Sequence, residues 1–157
     1  MIAACQGVLI GEKHYDWERA ITTVWNYLIG HPEAPVIVPN PDVFFPTRGG
    51  GVHPASGAVA MFLAALCRHR GKELHPMFLG KPHRPIFRHA QRVLERHYGW
   101  RLCPERMLMV GDSLAGDVRG GVSYGCRTAL LMTGVTTAAD LSAGGAQPDG
   151  IFRGLSA

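Results

Sequence analysis

The residues best suited to chemistry follow short apolar runs, at the points where each run ends. In MLMVGDSLAGDV, residues 107–118, Asp112 comes directly after such a run and Asp117 stands five positions later. Two carboxylates at the tip of a strand offer the hard oxygen ligands that Mg²⁺ prefers. A second interpretation stays open, in which Asp112 or Ser113 only caps the helix that follows.

A lysine occupies the corresponding position after an earlier run. In FLGKP, residues 78–82, Lys81 stands between Gly80 and Pro82. A compact ammonium group there can neutralise a phosphoryl group or a carboxylate nucleophile, although most lysines are simply exposed. We expect the runs before Lys81 and before Asp112 to be strands of one sheet, so that both side chains reach the same crevice.

A third segment, VPNPDVFFP at residues 38–46, places Asn40 and Asp42 after another apolar run. Asn-Pro and Pro-Asp pairs are typical of turns. Taken singly, each of these two residues is therefore interpreted as part of a turn.

The three segments lie in an alternation of strand-like and helix-like patterns, which predicts an α/β fold with a parallel sheet and flanking helices. Apolar runs predict strands at residues 8–10, 36–38, 77–79, 107–110 and 128–132. Apolar residues at helical spacing predict helices at 15–29, 55–70, 85–98 and 114–124. Ligands of such sheets bind beyond the carboxyl ends of the strands, where Lys81 and Asp112 are predicted to lie.

Composition restricts the class of protein. The chain has 157 residues, of which 46% are hydrophobic, and a chain of this size supports one core rather than two full domains. No apolar run approaches the roughly 18 residues of a membrane span, and the first residues lack the pattern of a secretory signal. Four cysteines without a C-x-x-C pair support neither a zinc site nor a disulfide framework. We therefore expect a cytoplasmic protein without a membrane partner.

A basic stripe accompanies the predicted helix at 85–98, and it consists of Arg84, Arg88, Arg92 and Arg96. Such a stripe can face phosphates or nucleic acid. The opposite face of the helix is predicted to be buried and consists of Ile86, Phe87, Ala90, Val93 and Leu94. We interpret the arginines as the solvated side of an amphipathic helix and expect no nucleic-acid partner.

The three segments, in this order, resemble a known family. G-K-P after one strand and G-D-x-x-x-x-D after the next resemble motifs III and IV of the haloacid dehalogenase-like (HAD) phosphohydrolases. NPDVFFP with GGGVHPASGAVAMFLAAL, and the later LMTGVTTAADL, are similar to the capped type IIA branch, which includes 4-nitrophenyl, phosphoglycolate and sugar phosphatases. The resemblance covers residues 36–152, and more loosely the first strand and helix. It implies a HAD-like, Rossmann-like core with an α/β cap.

The resemblance also implies roles for individual residues. Lys81 matches the lysine that orients the nucleophile and binds the phosphoryl group, and Asp112 and Asp117 match the acids of the Mg²⁺ site. Asn40 and Asp42 match the cap segment that faces the active site and helps to choose the substrate. The implied reaction is Mg²⁺-dependent hydrolysis of a small phosphorylated metabolite through an aspartyl-phosphate. Capped members of the branch often form homodimers, and the resemblance allows one here.

The sequence departs from the family at the nucleophile. In the family a D-x-D motif supplies the attacking aspartate and the general acid and base. None of the six aspartates of this chain has another two positions away. Either ACQGVLIG is an altered D-x-D-G-V-L, with Ala4 and Gln6 at the acid positions, or GVLIGEKHYDWERA is a cap strand and helix and the first core strand is missing.

We favour the second alignment, which describes a truncated member of the family. It predicts a partial cap at residues 1–74 and the later half of an incomplete core at 75–157. It also predicts weak Mg²⁺ binding and no turnover by this chain alone. The alternative function is a non-catalytic module that binds a phosphate ligand or regulates through it.

Overall fold

The computed structural model describes residues 4–12 and 16–155 of the chain. The chain divides into two compact units, Met1–Gly80 and Lys81–Ala157. The predicted boundary at residue 74 lies slightly before this division, and the assignment of the units to a cap and to half of a core stays a prediction. The start of the first helix, predicted at residue 15, lies outside the described residues.

The first unit contains five strands and two helices among its described residues. In chain order they are β1 (Val8–Leu9), α1 (Trp17–Gly30), β2 (Val36–Val38), β3 (Phe44–Pro46), β4 (Val52–Pro54), α2 (Ser56–His69) and β5 (Met77–Phe78). A parallel sheet has the order β1-β2-β5, and β3 pairs with β4 in an antiparallel hairpin. The central strand β2 therefore ends next to the segment that carries Asn40.

The core of the first unit lies where α1 and α2 pack on β2. Its fully buried members include Leu28 of α1, Val36 and Val38 of β2, and Ala60 and Leu63 of α2. Burial of each large aliphatic side chain contributes about 1.5–3 kcal/mol. This packing holds the carboxyl end of β2, and with it the turn that follows.

The second unit has its own parallel sheet. In chain order its elements are α3 (Arg84–Tyr98), a 3₁₀ turn (Pro104–Arg106), β6 (Leu108–Gly111), a π-helical turn (Leu114–Val118), α4 (Arg119–Tyr124), β7 (Arg127–Leu131), α5 (Ala138–Ser142) and β8 (Gly150–Phe152). The sheet has the order β6-β7-β8, with β7 in the centre. The turn after β6 and the loop after β7 therefore leave the same edge of the sheet.

The two faces of this second sheet differ. One face packs against α4 so closely that a Cβ on Gly121 would lie 2.7 Å from the Thr128 side chain. The other face carries Leu108, Val110 and Phe152, which are 61%, 42% and 52% exposed. Strands of a parallel sheet are usually covered on both faces, so this exposed apolar face departs from the usual pattern.

The structure confirms an α/β fold with parallel strands and flanking helices but corrects one expectation. The strands before Lys81 and before Asp112 do not share a sheet, because β5 pairs with β2 and β6 pairs with β7. Both runs are short and apolar, and their order along the chain does not specify their partners. Pairing depends on contacts between residues distant in sequence, which local patterns do not contain.

The buried face of α3 is also narrower than predicted. Phe87 is buried, whereas Ile86 and Val93 are exposed. Polar contacts take their place, since Tyr124 Oη donates to Gln91 Oε1 at 2.6 Å and Gln91 Nε2 donates to the Leu102 carbonyl at 2.8 Å. The prediction of a fully apolar inner stripe is therefore wrong, because the helix contacts its neighbours partly through Gln91.

A carboxylate fastens β8 to β7 and makes this part of the fold sensitive to pH. Asp149 accepts hydrogen bonds from Arg127 Nη1 at 2.9 Å and from Thr128 N at 2.8 Å. These contacts, with the Arg127 bond first, hold the pKa of the Asp149 carboxyl below its usual value. The stabilisation is therefore complete above the unfolded pKa of about 3.9 and is lost as the pH falls through the lower folded pKa.

We expect the thermal midpoint to fall as the pH drops below about 4, and Asp149→Asn to remove part of that fall. Circular dichroism melts across the acid range measure both. Glu33→Gln is the control, since Glu33 is exposed and its carboxylate has no hydrogen bond within the described chain. An identical pH profile for Asp149→Asn and the unsubstituted protein would contradict this role.

Candidate functional site

The centre of the site is the carboxylate of Asp117, which joins Lys81 to the loop after β6. Lys81 Nζ donates to Asp117 Oδ1 in an ion pair. Asp117 Oδ2 accepts from the backbone N–H groups of Asp112 and Ser113, each at 3.0 Å. Asp117 is 1% exposed, whereas the Lys81 side chain is 48% exposed. A buried carboxylate thus holds a lysine that remains open to solvent.

The local sequence explains why the chain folds this way. The π-helical turn begins after Ser113, whose Oγ accepts from Gly116 N at 3.0 Å and whose carbonyl accepts from Asp117 N at 2.8 Å. Gly111 is required here, because a Cβ at this position would overlap the Asp117 carboxylate. The capping interpretation is therefore confirmed for Ser113, and the Asp112 side chain is left available for another role.

Asp112 is half-buried at the tip of β6, and its carboxylate accepts no hydrogen bond from any residue in the described ranges. The side chain lies against Gly134, where a Cβ would overlap Oδ2. Its backbone carbonyl accepts from Thr136 Oγ1 at 2.7 Å. The sequence indicated Gly134 as a residue at a strand end but not Thr136, although both lie in the Thr-Gly-Val-Thr stretch after β7.

A close approach of α4 to α3 fixes the neighbourhood of Lys81. A Cβ on Gly120 would lie 2.7 Å from the Phe87 ring and 2.9 Å from the Pro82 Cα. Pro82 follows Lys81 directly, so this contact holds the backbone from which the lysine extends. Sequence reasoning paired Lys81 with Asp112, and the structure brings them together through Asp117.

Asn40 and Asp42 form a turn inside the first unit. Asn40 Oδ1 accepts from Asp42 N at 3.1 Å, and Asn40 Nδ2 donates to Glu12 Oε1 at 2.7 Å. Gly57 N donates to the Asp42 carbonyl at 2.9 Å. The turn interpretation is confirmed, and the role of Asn40 and Asp42 in substrate choice stays a prediction.

The donor set of this chain does not by itself fit Mg²⁺. Among residues 4–12 and 16–155, no group of three or more histidine, cysteine, aspartate or glutamate side chains is placed to hold a metal ion. Asp112 offers one available carboxylate, whereas both oxygens of Asp117 already accept hydrogen bonds. Since Mg²⁺ requires octahedral oxygen coordination, the metal roles predicted for Asp112 and Asp117 remain predictions.

The two buried cysteines are poor candidates for a nucleophile. Cys5, Cys67, Cys103 and Cys126 are all free thiols. Burial raises the pKa of the Cys67 and Cys126 thiols, and a thiol is a poor nucleophile until it ionises.

None of the described helices is long and apolar enough to cross a bilayer.

Comparisons with known proteins place these features in a family. Residues 78–157 match the family model described as HAD-hydrolase-like. A dihydroxyacetone phosphatase of Corynebacterium glutamicum is 34% identical over 135 residues, which are 85% of this chain and 44% of that protein. The ribonucleotide monophosphatase NagD of Escherichia coli is 30% identical over 150 residues, which are 95% of this chain and 53% of that protein. The chain spans about half the length of the curated relatives it matches.

Solved structures agree with the sequence comparisons. The p-nitrophenyl phosphatase from Archaeoglobus fulgidus has a TM-score of 0.79 and 27% sequence identity, and the match covers 98% of this chain and 56% of that one. The matched family model spans the whole described part of the second unit, including Lys81, Asp112 and Asp117. The chain therefore belongs to the haloacid dehalogenase-like hydrolase superfamily, type IIA.

Proposed function

We propose that the second unit supplies the lysine and carboxylate half of a pocket for the phosphoryl group of a small phosphate monoester. The observation that carries the proposal is the Lys81–Asp117 ion pair, because Asp117 also accepts from the backbone amide of Asp112, whose own carboxylate accepts no hydrogen bond among the described residues. Relatives named dihydroxyacetone phosphatase and ribonucleotide monophosphatase support this substrate class.

Lys81 is suited to bind a phosphoryl oxygen. An ammonium group has three N–H donors, and Asp117 accepts from one of them. The other two can reach an anionic ligand from the exposed side of the residue. Because Asp117 is buried and held by two backbone amides, the lysine is directed before the ligand arrives, which lowers the entropy cost of binding.

Within this proposal Asp112 and Asp117 have different duties. Asp117 is a positioning residue, since its oxygens are used by Lys81 and by the loop amides. Asp112 is the one carboxylate of this group that could serve as a Mg²⁺ ligand. HAD phosphatases generally use Mg²⁺, and with a single carboxylate ligand we expect this chain alone to bind the ion weakly.

We propose further that this chain alone does not complete the hydrolysis. The family reaction needs an attacking aspartate with a second acid two positions later, and the sequence contains no such pair. Binding of a phosphate ligand without catalysis, as a binding or regulatory module, is the second candidate function. The same exposed and directed lysine favours it, because binding requires no nucleophile.

Titration with inorganic phosphate tests the pocket. We expect Lys81→Gln to weaken phosphate binding by roughly tenfold or more, the equivalent of one charge-assisted hydrogen bond. Arg92→Gln is the matched control, because it removes one exposed positive charge of the same unit and is expected to leave the affinity unchanged. Isothermal titration calorimetry measures all three proteins. Equal losses in both variants would show general charge attraction and contradict a pocket at Lys81.

Release of p-nitrophenolate from p-nitrophenyl phosphate with Mg²⁺ tests the catalytic part in the same preparations. We expect no rate above that of Asp112→Ala. Turnover by the unsubstituted chain that disappears in Asp112→Ala would overturn the proposal of inactivity and leave the pocket itself intact.

A further inference from the structure

We propose that Thr136 is a positioning residue for the phosphoryl pocket, acting on the loop that carries Asp112 and holds Lys81 through Asp117. The proposal rests on the function proposed above for that loop. Thr136 lies in the segment between β7 and α5 and reaches across to the loop after β6.

The hydroxyl of Thr136 both donates and accepts a hydrogen bond. Thr136 Oγ1 donates to the Asp112 carbonyl at 2.7 Å and accepts from Leu114 N at 2.8 Å. The backbone N–H of Thr136 also donates to the Asp112 carbonyl at 3.3 Å. The residue is 7% exposed, so water competes little for these bonds. One side chain thus holds the loop on both sides of Ser113.

These bonds act on the backbone groups that build the pocket. Leu114 begins the π-helical turn, and the first amides of a helix lack partners within it. Thr136 supplies a partner for that amide, while Asp112 N and Ser113 N are left to bind Asp117 Oδ2. Asp117 in turn directs Lys81. A shift of the loop would therefore move both the carboxylate and the lysine of the pocket.

Gly134 acts on the same target from the same segment. A Cβ at this position would overlap the Asp112 carboxylate, so the glycine leaves the space in which that side chain lies. Thr136 thus controls the backbone of Asp112 and Gly134 controls its side chain. Gly134 and Thr136, two residues of the Thr-Gly-Val-Thr segment, therefore act on different parts of Asp112.

The role requires the hydroxyl and not only the shape of the side chain. Thr136→Val keeps the branched shape but leaves the Leu114 amide and the Asp112 carbonyl without this partner. Thr136→Ser keeps the donor and the acceptor. Thr133→Val is the matched control, because Thr133 is exposed in the same segment and its hydroxyl has no hydrogen bond within the described chain.

Titration with inorganic phosphate is the first measurement. We expect Thr136→Val to weaken phosphate binding roughly three- to tenfold, the size of one or two net hydrogen bonds. Thr136→Ser and Thr133→Val are expected to bind like the unsubstituted protein. A double variant with Lys81→Gln should bind no more weakly than Lys81→Gln alone, because Thr136 acts through that lysine. Full additivity of the two losses would contradict the proposal.

Amide hydrogen exchange is the second measurement and needs no ligand. We expect the Leu114 amide to lose protection in Thr136→Val and to keep it in Thr136→Ser, while amides of β7 stay protected in both. Unchanged exchange at Leu114 in Thr136→Val overturns the positioning role. An unchanged phosphate affinity in Lys81→Gln overturns the function proposed for the pocket. The experiments therefore distinguish failure of the positioning role from failure of the proposed function.

Discussion

Replacing Asp117 with alanine is expected to lower the free energy of unfolding by about 2–4 kcal/mol. The change removes the acceptor of three hydrogen bonds at a residue that is 1% exposed. Most of the loss comes from the backbone amides of Asp112 and Ser113, which remain in a partly buried loop without a partner. Lys81 contributes less, because its half-exposed side chain can regain water.

Urea denaturation followed by circular dichroism measures this loss. Asp117→Asn keeps the volume and one acceptor oxygen, so its cost is expected to lie between zero and that of alanine. Asp42→Ala is the control, because that side chain is exposed and has no hydrogen bond among the described residues. Equal costs for Asp117→Ala and Asp42→Ala would show that the carboxylate at position 117 does not hold the loop.

Gly111→Ala is expected to lower the free energy of unfolding by about 3 kcal/mol. This loss combines overpacking with the disruption of hydrogen bonds that Asp117 accepts. The new Cβ would overlap the Asp117 carboxylate. A flexible side chain could turn away, but Asp117 is buried and held from three sides. The clash must therefore break bonds of the pocket or move the end of β6.

The matched control for this change is Gly30→Ala at the end of α1, where a new Cβ meets nothing within 4 Å. Denaturation of both variants gives the comparison, and Gly30→Ala is expected to be neutral or slightly stabilising. Because Gly111→Ala and Asp117→Ala act on the same bonds, their combined cost should be smaller than the sum. If the two stability losses were fully additive, Gly111→Ala would act on contacts other than those of Asp117.

That Lys81 and Asp112 belong to one functional site stays a prediction, whereas the structure shows how the two residues are connected. Their positions after apolar runs indicated strand ends, and the structure confirms two strands there. The expected common sheet is wrong, and the connection runs through the buried carboxylate of Asp117. A spacing of residues can indicate that Asp117 lies near the site, whereas its burial and its ion pair follow from tertiary packing.

Several elements were not predicted, for physical reasons that differ. β3 and β4 contain Pro46 and Pro54, and proline is a poor strand signal. Thr136 was not predicted as a site residue because its partner, Asp112, is 24 positions earlier in the chain. Gln91 of α3 packs inward through hydrogen bonds, which apolar periodicity cannot indicate.

The exposed apolar face of the second sheet affects the solubility of the protein. Three apolar side chains on this face are exposed to water: Leu108, Val110 and Phe152. Salts that are excluded from protein surfaces, such as sulfate, strengthen the association of exposed apolar groups. Precipitation by ammonium sulfate should therefore begin at unusually low concentration, and arginine or glutamate placed at Leu108 should raise that threshold.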